Sequence, residues 1–215
     1  MMINIKLDIK YTHPSLWILI SIVFNLLIKI EKNTYRIMFI KSLTIYCSSS
    51  NLLEQKYYDL ANQIGEFLGN KKISIIYGGG KVGMMGKISH SAMNSHGKVI
   101  GIIPKFLNSK EIIDFNVSET IIVKDMKERK ERLFELGNAF LILPGGAGTI
   151  EEGTEVISWL NLGLHNKPII IFNFENYWDS MIQMYDNAVK NKFGDKNLQS
   201  MCKIIKTFDE FSNLF

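Results

Sequence analysis

Short apolar runs rich in β-branched residues alternate with longer amphipathic segments from residue 42 to the end of the chain. This alternation is typical of a parallel sheet in which helices connect successive strands. Most of the runs are continuously apolar, as expected for strands that are buried on both faces. Six runs predict strands, at residues 43–47, 73–77, 99–103, 120–123, 140–143 and 169–172.

The amphipathic segments between these runs predict the connecting helices. They lie at residues 55–68, 84–96, 126–136, 149–162 and 177–190. A last apolar run at 202–205, followed by residues 209–215, predicts a final strand and a short helix. No repeat or linker indicates a second domain. The expected fold class is α/β, with a Rossmann-like, doubly wound parallel sheet in three α/β/α layers.

The N-terminal residues differ from the rest of the chain. Residues 16–28 form an apolar stretch that follows two lysines, as in a signal peptide. The stretch is short for a membrane span, contains an asparagine and precedes no small-residue cleavage site. Two interpretations remain, a secretion or anchoring segment and a segment upstream of a translation start at Met38. We predict an N-terminal extension at 1–41 and a nucleotide-binding domain at 42–215, with membrane association disfavoured.

Charge and cysteine content narrow the classes of function. The formal net charge is +4, but residues 42–215 carry equal numbers of basic and acidic side chains. A neutral body gives no electrostatic argument for a nucleic-acid partner. The two cysteines, Cys47 and Cys202, form no metal-binding or disulfide pattern. This favours a reducing, cytoplasmic compartment and a protein without a bound metal.

A first glycine cluster follows the predicted strand 73–77. Residues 78–86 read GGGKVGMMG and precede a predicted helix. Glycines permit positive φ and let backbone N–H groups approach a ligand closely, so a phosphate-binding turn is one interpretation. The other is a tight turn with close helix–strand packing. The candidate ligand contacts in this cluster are Gly79, Gly80 and Gly83.

A second glycine cluster is more specific. Residues 144–152 read PGGAGTIEE, directly after the predicted strand 140–143 and at the start of a helix. Backbone N–H donors, the helix dipole and the Thr149 hydroxyl would together bind a phosphate dianion. Glu151 and Glu152, expected in the first helical turn, either offset the helix dipole or face a sugar, where a carboxylate can activate water. The neighbouring phosphate loop favours the second interpretation.

A charged segment, DMKERK at residues 125–130, begins another predicted helix. Asp125 and Glu128 have the spacing of a helix N-cap and its reciprocal partner. Such a charge run is commonly a solvated helix face. Arg129, however, would lie near the carboxyl ends of the strands, where doubly wound sheets bind their ligands.

These three motifs, in their order along the chain (78–86, 126–130 and 144–152) and at comparable spacing, resemble the signature of the Lonely Guy (LOG) family of phosphoribohydrolases. The resemblance covers about residues 42–192 and includes GIIP at 101–104 and LGLHNKP at 162–168. It implies a homodimeric hydrolase that needs no metal or cofactor. The implied reaction releases an adenine-type base and ribose 5-phosphate from a nucleoside 5′-monophosphate, either AMP or its N6-prenylated, cytokinin form.

The resemblance also implies roles for individual residues. Arg129 and Glu152 match the catalytic pair of the family. Glu152 would stabilise an oxocarbenium-like ribose or accept a proton from water, while Arg129 would fix the substrate. The implied substrate contacts are Glu111, Lys130, Gly145, Gly146, Gly148, Thr149 and Glu151, and Ser158 stands where the family often has a contacting threonine.

Two positions depart from the family pattern. Ser48 stands where a glycine follows Cys47 in the family, which would alter the turn beside the ligand. Ala147 replaces a bulky aromatic residue in the Pro-Gly-Gly loop, which would widen the pocket. An older family label, lysine decarboxylase, is disfavoured because no lysine has a pyridoxal-phosphate context. Two alternatives stay open, a broader purine nucleoside 5′-monophosphate nucleosidase and a non-catalytic nucleotide carrier or sensor on the same fold.

Overall fold

The computed structural model describes residues 40–107 and 114–215. The predicted extension at 1–41 lies almost wholly outside these ranges, and Glu111, an implied substrate contact, lies outside them as well. Within the described ranges, no helix combines the length and the apolar character that crossing a membrane requires.

The described residues form one sheet of seven strands. These are β1 (Ser42–Tyr46), β2 (Ser74–Tyr77), β3 (Val99–Pro104), β4 (Glu119–Val123), β5 (Ala139–Ile142), β6 (Ile169–Phe172) and β7 (Lys203–Ile205). Their order in the sheet is β4-β3-β2-β1-β5-β6-β7, and all neighbouring strands are parallel. The predicted doubly wound α/β fold is therefore confirmed, including the final strand.

α-Helices connect successive strands, except between β3 and β4, where the described residues include only a short 3-10 helix at Lys105–Leu107. The α-helices are α1 (Gln55–Asn70), α2 (Gly83–Asn94), α3 (Met126–Leu136), α4 (Ala147–Asn161), α5 (Asp179–Lys190), α6 (Leu198–Met201) and α7 (Phe208–Ser212). The five long helices and the C-terminal one lie where the sequence pattern predicts them. The pattern does not predict α6, because four residues are too few to establish a helical period.

Helices cover both faces of the sheet. On one face, buried residues from α3, α4 and α6, such as Leu133 and Leu198, pack with Ile171 of β6 in one apolar core. Successive strand residues point to opposite faces, so Phe172 belongs to the other face. There its ring packs against Phe211 of α7, with 6.1 Å between the ring centroids.

The site-bearing loops meet at the centre of the sheet. β1 lies between β2 and β5, and the chain winds outward from it in both directions. Loops that follow β1 and β5 therefore diverge at the carboxyl edge, which is where doubly wound sheets bind ligands. The second glycine cluster follows β5 and lies at this switch point. The first follows β2, which neighbours β1 on its other side.

Glycines bring α1 and α2 into close contact. A Cβ atom added to Gly65 would lie 2.5 Å from the carbonyl oxygen of Ile88 and 2.9 Å from Cβ of Ser91. A Cβ atom added to Gly69 would lie 2.7 Å from the carbonyl oxygen of Ala92. The two backbones thus approach so closely that no larger side chain fits between them.

We expect Gly65→Ala to lower the free energy of unfolding by about 1–3 kcal/mol, because the added methyl group overpacks the helix contact. Alanine favours the helix more than glycine does, so the two effects have opposite signs. Gly194→Ala is the control, since a Cβ atom there meets nothing within 4 Å. Urea denaturation followed by circular dichroism measures both, and a Gly65→Ala variant as stable as the parent protein would contradict the close packing.

Candidate active site

The start of α3 positions Arg129 and Lys130. Asp125 caps the helix, because its Oδ1 accepts a hydrogen bond from the N–H of Glu128 at 2.9 Å. The Glu128 carboxylate accepts in turn from the N–H of Lys124, also at 2.9 Å. The predicted cap is confirmed, although the reciprocal bond reaches one residue before the N-cap. These two hydrogen bonds fix the first turn of the helix.

The guanidinium of Arg129 is buried against β3 and α4, with 8% of the residue exposed. Its Nε donates a hydrogen bond to the carbonyl oxygen of Ile102 on β3 at 3.2 Å. Its Nη1 donates to Oε1 of Glu152 on α4. A Cβ atom at Gly78 would overlap Nη2 of Arg129. The first glycine cluster thus provides the space that the guanidinium occupies.

Glu152 is the buried carboxylate of the site, with 6% of the residue exposed. The helix begins at Ala147, two residues earlier than predicted, so Glu151 and Glu152 lie in its second turn rather than its first. Dipole compensation falls off beyond the first turn, which weakens the interpretation that these acids only stabilise the helix. Burial raises the pKa of Glu152, and the charge and hydrogen bond of Arg129 oppose that rise.

Tyr46 and Cys47 adjoin Glu152 at the end of β1. Burial, and then the charge of Glu152, raise the pKa of the Tyr46 phenol well above its usual value. The same two causes raise the pKa of the Cys47 thiol. Both groups are therefore protonated at neutral pH, and Cys47 lacks the thiolate that a nucleophilic cysteine needs.

A second, more exposed ion-pair network lies beside the buried pair. Nζ of Lys130 lies 2.6 Å from Oε1 of Glu151 and 2.9 Å from Oε1 of Glu155. The hydrogen bonds that Lys130 donates to Glu151 and then to Glu155 raise the pKa of Lys130, so its ammonium stays charged. About a quarter of the Lys130 side chain and half of the Glu151 side chain are exposed, at 24% and 54%. These groups therefore line the accessible rim of the site.

The N-terminus of α4 is open. Gly146 is its N-cap, and no described side chain caps this end. The first N–H groups of an α-helix have no acceptor inside the helix, and here they belong to Ala147, Gly148 and Thr149. A Cβ atom added to Gly146 or Gly148 would meet nothing within 4 Å. Free donors and the partial positive charge of the helix end favour an anion here.

The loop before α4 is held from both sides. A Cβ atom at Gly145 would overlap the buried Thr149 side chain, so position 145 requires glycine. The N–H of Ser48, after β1, donates to the Pro144 carbonyl oxygen at 3.1 Å. The Tyr177 hydroxyl, after β6, donates to the Gly145 carbonyl oxygen at 2.7 Å. Both flanking strands therefore contribute to the position of the loop, and sequence patterns indicate neither contact.

Backbone groups of the first glycine cluster form hydrogen bonds with other residues of the protein. Gly79 and Gly83 have positive φ, at 76° and 62°, which favours glycine at both positions. The Gly79 carbonyl oxygen accepts a hydrogen bond from the N–H of Asp114 at 3.0 Å. The N–H of Gly83 donates to Oδ1 of Asn51 at 3.1 Å. Asn51 therefore occupies the N–H of Gly83, whereas no described side chain caps the N-terminus of α4.

The structure brings the proposed catalytic pair and the rim groups together. Arg129 contacts Glu152, and Lys130 contacts Glu151. The second glycine cluster is continuous with the helix that carries both glutamates, and the first cluster adjoins Arg129 through Gly78. Gly80 is buried. Within the described ranges, no three His, Cys, Asp or Glu side chains are grouped so that they could hold a metal ion.

The fold is a doubly wound α/β sheet in which a glycine-rich helix N-terminus lies beside a buried arginine–glutamate pair. These features define a class of protein, and the chain can be compared with known families of that class. The family model described as "Possible lysine decarboxylase" matches residues 85–214. The chain therefore belongs to this family, whose curated relatives carry the name LOG.

Named relatives share about two fifths of their aligned residues with this chain. Cytokinin riboside 5′-monophosphate phosphoribohydrolase LOG1 of Arabidopsis thaliana is 41% identical over 71% of this chain and 72% of its own length. The rice protein "Probable cytokinin riboside 5'-monophosphate phosphoribohydrolase LOGL6" is 40% identical over 71% of this chain. The match spans 61% of that rice protein, which is less than two thirds of its length.

Solved structures share the fold at low sequence identity. The molybdenum cofactor binding protein of Rippkaea orientalis has a TM-score of 0.60 and 18% identity, over 80% of this chain and 93% of that one. The molybdenum cofactor carrier protein of Chlamydomonas reinhardtii has a TM-score of 0.54 and 15% identity, over 80% and 93%. Likeness at this identity shows the fold alone, and it agrees with the Rossmann-like α/β architecture.

We expect Arg129→Gln to raise the pKa of Glu152 further, because it removes the charge that opposes the effect of burial. Lys130→Gln is the matched control, since Lys130 acts on the same carboxyl in the same direction but more weakly. Carbon-13 NMR titration of the Glu152 carboxyl measures both variants. A smaller rise in Arg129→Gln than in Lys130→Gln would contradict the assignment of Arg129 as the main partner.

Proposed function

We propose that this chain hydrolyses the N-glycosidic bond of AMP or of an N6-prenylated AMP, which releases the base and ribose 5-phosphate. Membership of the family and the names of its relatives support this cytokinin-activating reaction. The observation that carries the proposal is the buried Glu152, which pairs with Arg129 of α3 and lies on α4, a helix whose N-terminus is open. One helix thus combines an anion site with a reactive carboxylate.

The spacing along α4 suits a nucleoside 5′-monophosphate. Glu152 follows Ala147 by five residues, which corresponds to about 7.5 Å along the helix axis. A phosphate at the open N-terminus would place the anomeric carbon of its ribose near the carboxylate. Binding energy from the phosphate then positions the reacting carbon, so that the substrate is oriented before the bond breaks.

Glu152 is the group proposed to act on the sugar. As the C–N bond breaks, the ribose gains oxocarbenium character, and an adjacent carboxylate stabilises that positive charge. The same carboxylate can accept a proton from the attacking water, a role that the raised pKa of Glu152 favours. Arg129 holds the carboxylate in place and, in the proposal, contacts the substrate as well.

The remaining substrate contacts stay proposals. They are Gly79, Gly80, Gly83, Glu111, Lys130, Gly145, Gly146, Gly148, Thr149 and Glu151. The proposed assembly is a homodimer, which is supported by the large apolar side chains of Leu162 and Leu164, 69% and 68% exposed in the single chain. A cytoplasmic location is proposed because both cysteines are free thiols. Light scattering on the purified protein tests the dimer.

We expect Glu152→Gln to lower kcat for AMP hydrolysis by about 10²–10⁴-fold, because the amide can neither accept a proton nor carry negative charge. Glu155→Gln is the matched control, since Glu155 lies on the same helix but, among the described residues, pairs with the rim residue Lys130 rather than with Arg129. The control is expected to keep most of the parent rate. Steady-state kinetics and AMP binding by calorimetry measure both variants.

The pH profile supplies a second readout. Glu152 must be ionised to act, so kcat/KM of the parent protein should fall as the pH drops through its raised pKa. The residual activity of Glu152→Gln should lack this acidic limb. If Glu152→Gln binds AMP and turns it over at the parent rate, the proposed mechanism is wrong. If the parent protein binds AMP without turnover, a nucleotide carrier or sensor becomes the better interpretation.

Substrate preference distinguishes the cytokinin reaction from a broader purine nucleosidase. We expect a higher kcat/KM for N6-isopentenyl AMP than for AMP, because burial of an apolar group stabilises a complex by up to several kcal/mol. Competition between the two nucleotides in one assay gives the ratio directly. A ratio near one would support the broader nucleosidase instead.

A further inference from the structure

Tyr177 joins two segments that are distant in sequence. It lies in the turn between β6 and α5, and its ring meets Trp178 edge-on, with 4.8 Å between the ring centroids. Its hydroxyl donates a hydrogen bond at 2.7 Å to the carbonyl oxygen of Gly145, which lies 32 residues earlier. The hydroxyl therefore connects the turn after β6 with the Pro-Gly-Gly loop after β5.

The turn that presents this tyrosine is itself firmly held. The buried side chain of Asn173 accepts a hydrogen bond from the N–H of Trp178 at 2.7 Å and donates one to Asp179 at 2.7 Å. Glu175 and Asn176 both adopt positive φ, at 53° and 60°. Asparagine adopts this backbone more readily than glutamate does, so the strained position is Glu175, whose conformation the surrounding turn must maintain. The tyrosine is thus presented from a defined position.

The bond to Gly145 has a consequence for the next donor along the loop. In a planar trans peptide unit, the C=O and the N–H point in opposite directions. The carbonyl of Gly145 and the N–H of Gly146 belong to one such unit, and the carbonyl is bound by Tyr177. The N–H of Gly146 therefore points away from Tyr177. Two consecutive glycines would otherwise leave this unit free to rotate.

We propose that the Tyr177 hydroxyl is a positioning group that directs the N–H of Gly146 toward the phosphate of the substrate. This inference rests on the proposed function of the site. The N–H groups of Ala147, Gly148 and Thr149 are fixed by the helix, whereas that of Gly146 belongs to the N-cap and needs an external tie. If the peptide unit rotated, it would turn a carbonyl oxygen toward the anion and weaken phosphate binding.

Tyr177→Phe removes the hydroxyl and retains the ring that packs against Trp178. Loss of one neutral hydrogen bond predicts an affinity for ribose 5-phosphate that is about three- to tenfold lower than in the parent protein. Because the phosphate contact is present in both the ground state and the transition state, KM for AMP should rise by a similar factor while kcat stays within about twofold. A purely structural role would not produce this division between KM and kcat.

The matched control is Tyr58→Phe. The Tyr58 hydroxyl also donates to a backbone carbonyl oxygen, that of Ser50 at 3.3 Å, but outside the Pro-Gly-Gly loop. Calorimetry with ribose 5-phosphate and steady-state kinetics with AMP are measured for the parent protein and both variants. The control should bind ribose 5-phosphate within about twofold of the parent protein, because its exposed hydrogen bond is not made to the Pro-Gly-Gly loop or to the donors of α4.

Three results would overturn the inference. Unchanged ribose 5-phosphate affinity in Tyr177→Phe would mean that the hydroxyl does not position the donor. Equal losses in Tyr177→Phe and Tyr58→Phe would indicate general loosening of this edge. A parent protein that binds no ribose 5-phosphate would contradict the proposed phosphate site itself, and this result is separate from the first two because it needs no variant.

Discussion

The buried ion pair between Arg129 and Glu152 is the interaction on which the rest of the site depends. Two charges removed from water are tolerated only when they are paired and well hydrogen-bonded, and removing one partner of such a pair costs about 3–5 kcal/mol. Arg129 meets this condition through Glu152 on α4 and a carbonyl oxygen on β3. The pair therefore fixes α3, α4 and the sheet relative to one another, and the glycine at position 78 leaves room for it.

The same pair gives the site its chemical asymmetry. At the N-terminus of α4, the open N–H donors favour an anion, and the space beside Gly146 and Gly148 is unobstructed. Further along that helix, burial raises the pKa of the Glu152 carboxyl, and the permanently charged Arg129 lies beside it. A phosphate attracted to the helix end would place its attached sugar against a group suited to stabilise positive charge. Lys130 and Glu151 complete a polar rim that is open to solvent.

Sequence patterns predict the fold more completely than they predict the contacts inside the site. Continuous apolar runs identify every buried strand, because burial on both faces removes polar alternation. Ser48 was expected to alter its turn, and its hydroxyl accepts a hydrogen bond from the N–H of Ser50 at 3.1 Å, which a glycine could not do. Its φ is not positive, so serine is accommodated there. The support from Tyr177 to Gly145 spans 32 residues, and no local period or motif reports such a contact. The role of Gly78 is likewise visible only once Arg129 lies over it.

The most direct test of the central claim is identification of the products that the purified protein forms from AMP and N6-isopentenyl AMP without added metal. Mass spectrometry of the reaction mixture distinguishes the bond that is broken. The account predicts free base together with ribose 5-phosphate, in equal amounts. Nucleoside with inorganic phosphate, or unreacted nucleotide despite binding, would contradict cleavage of the glycosidic bond at this site.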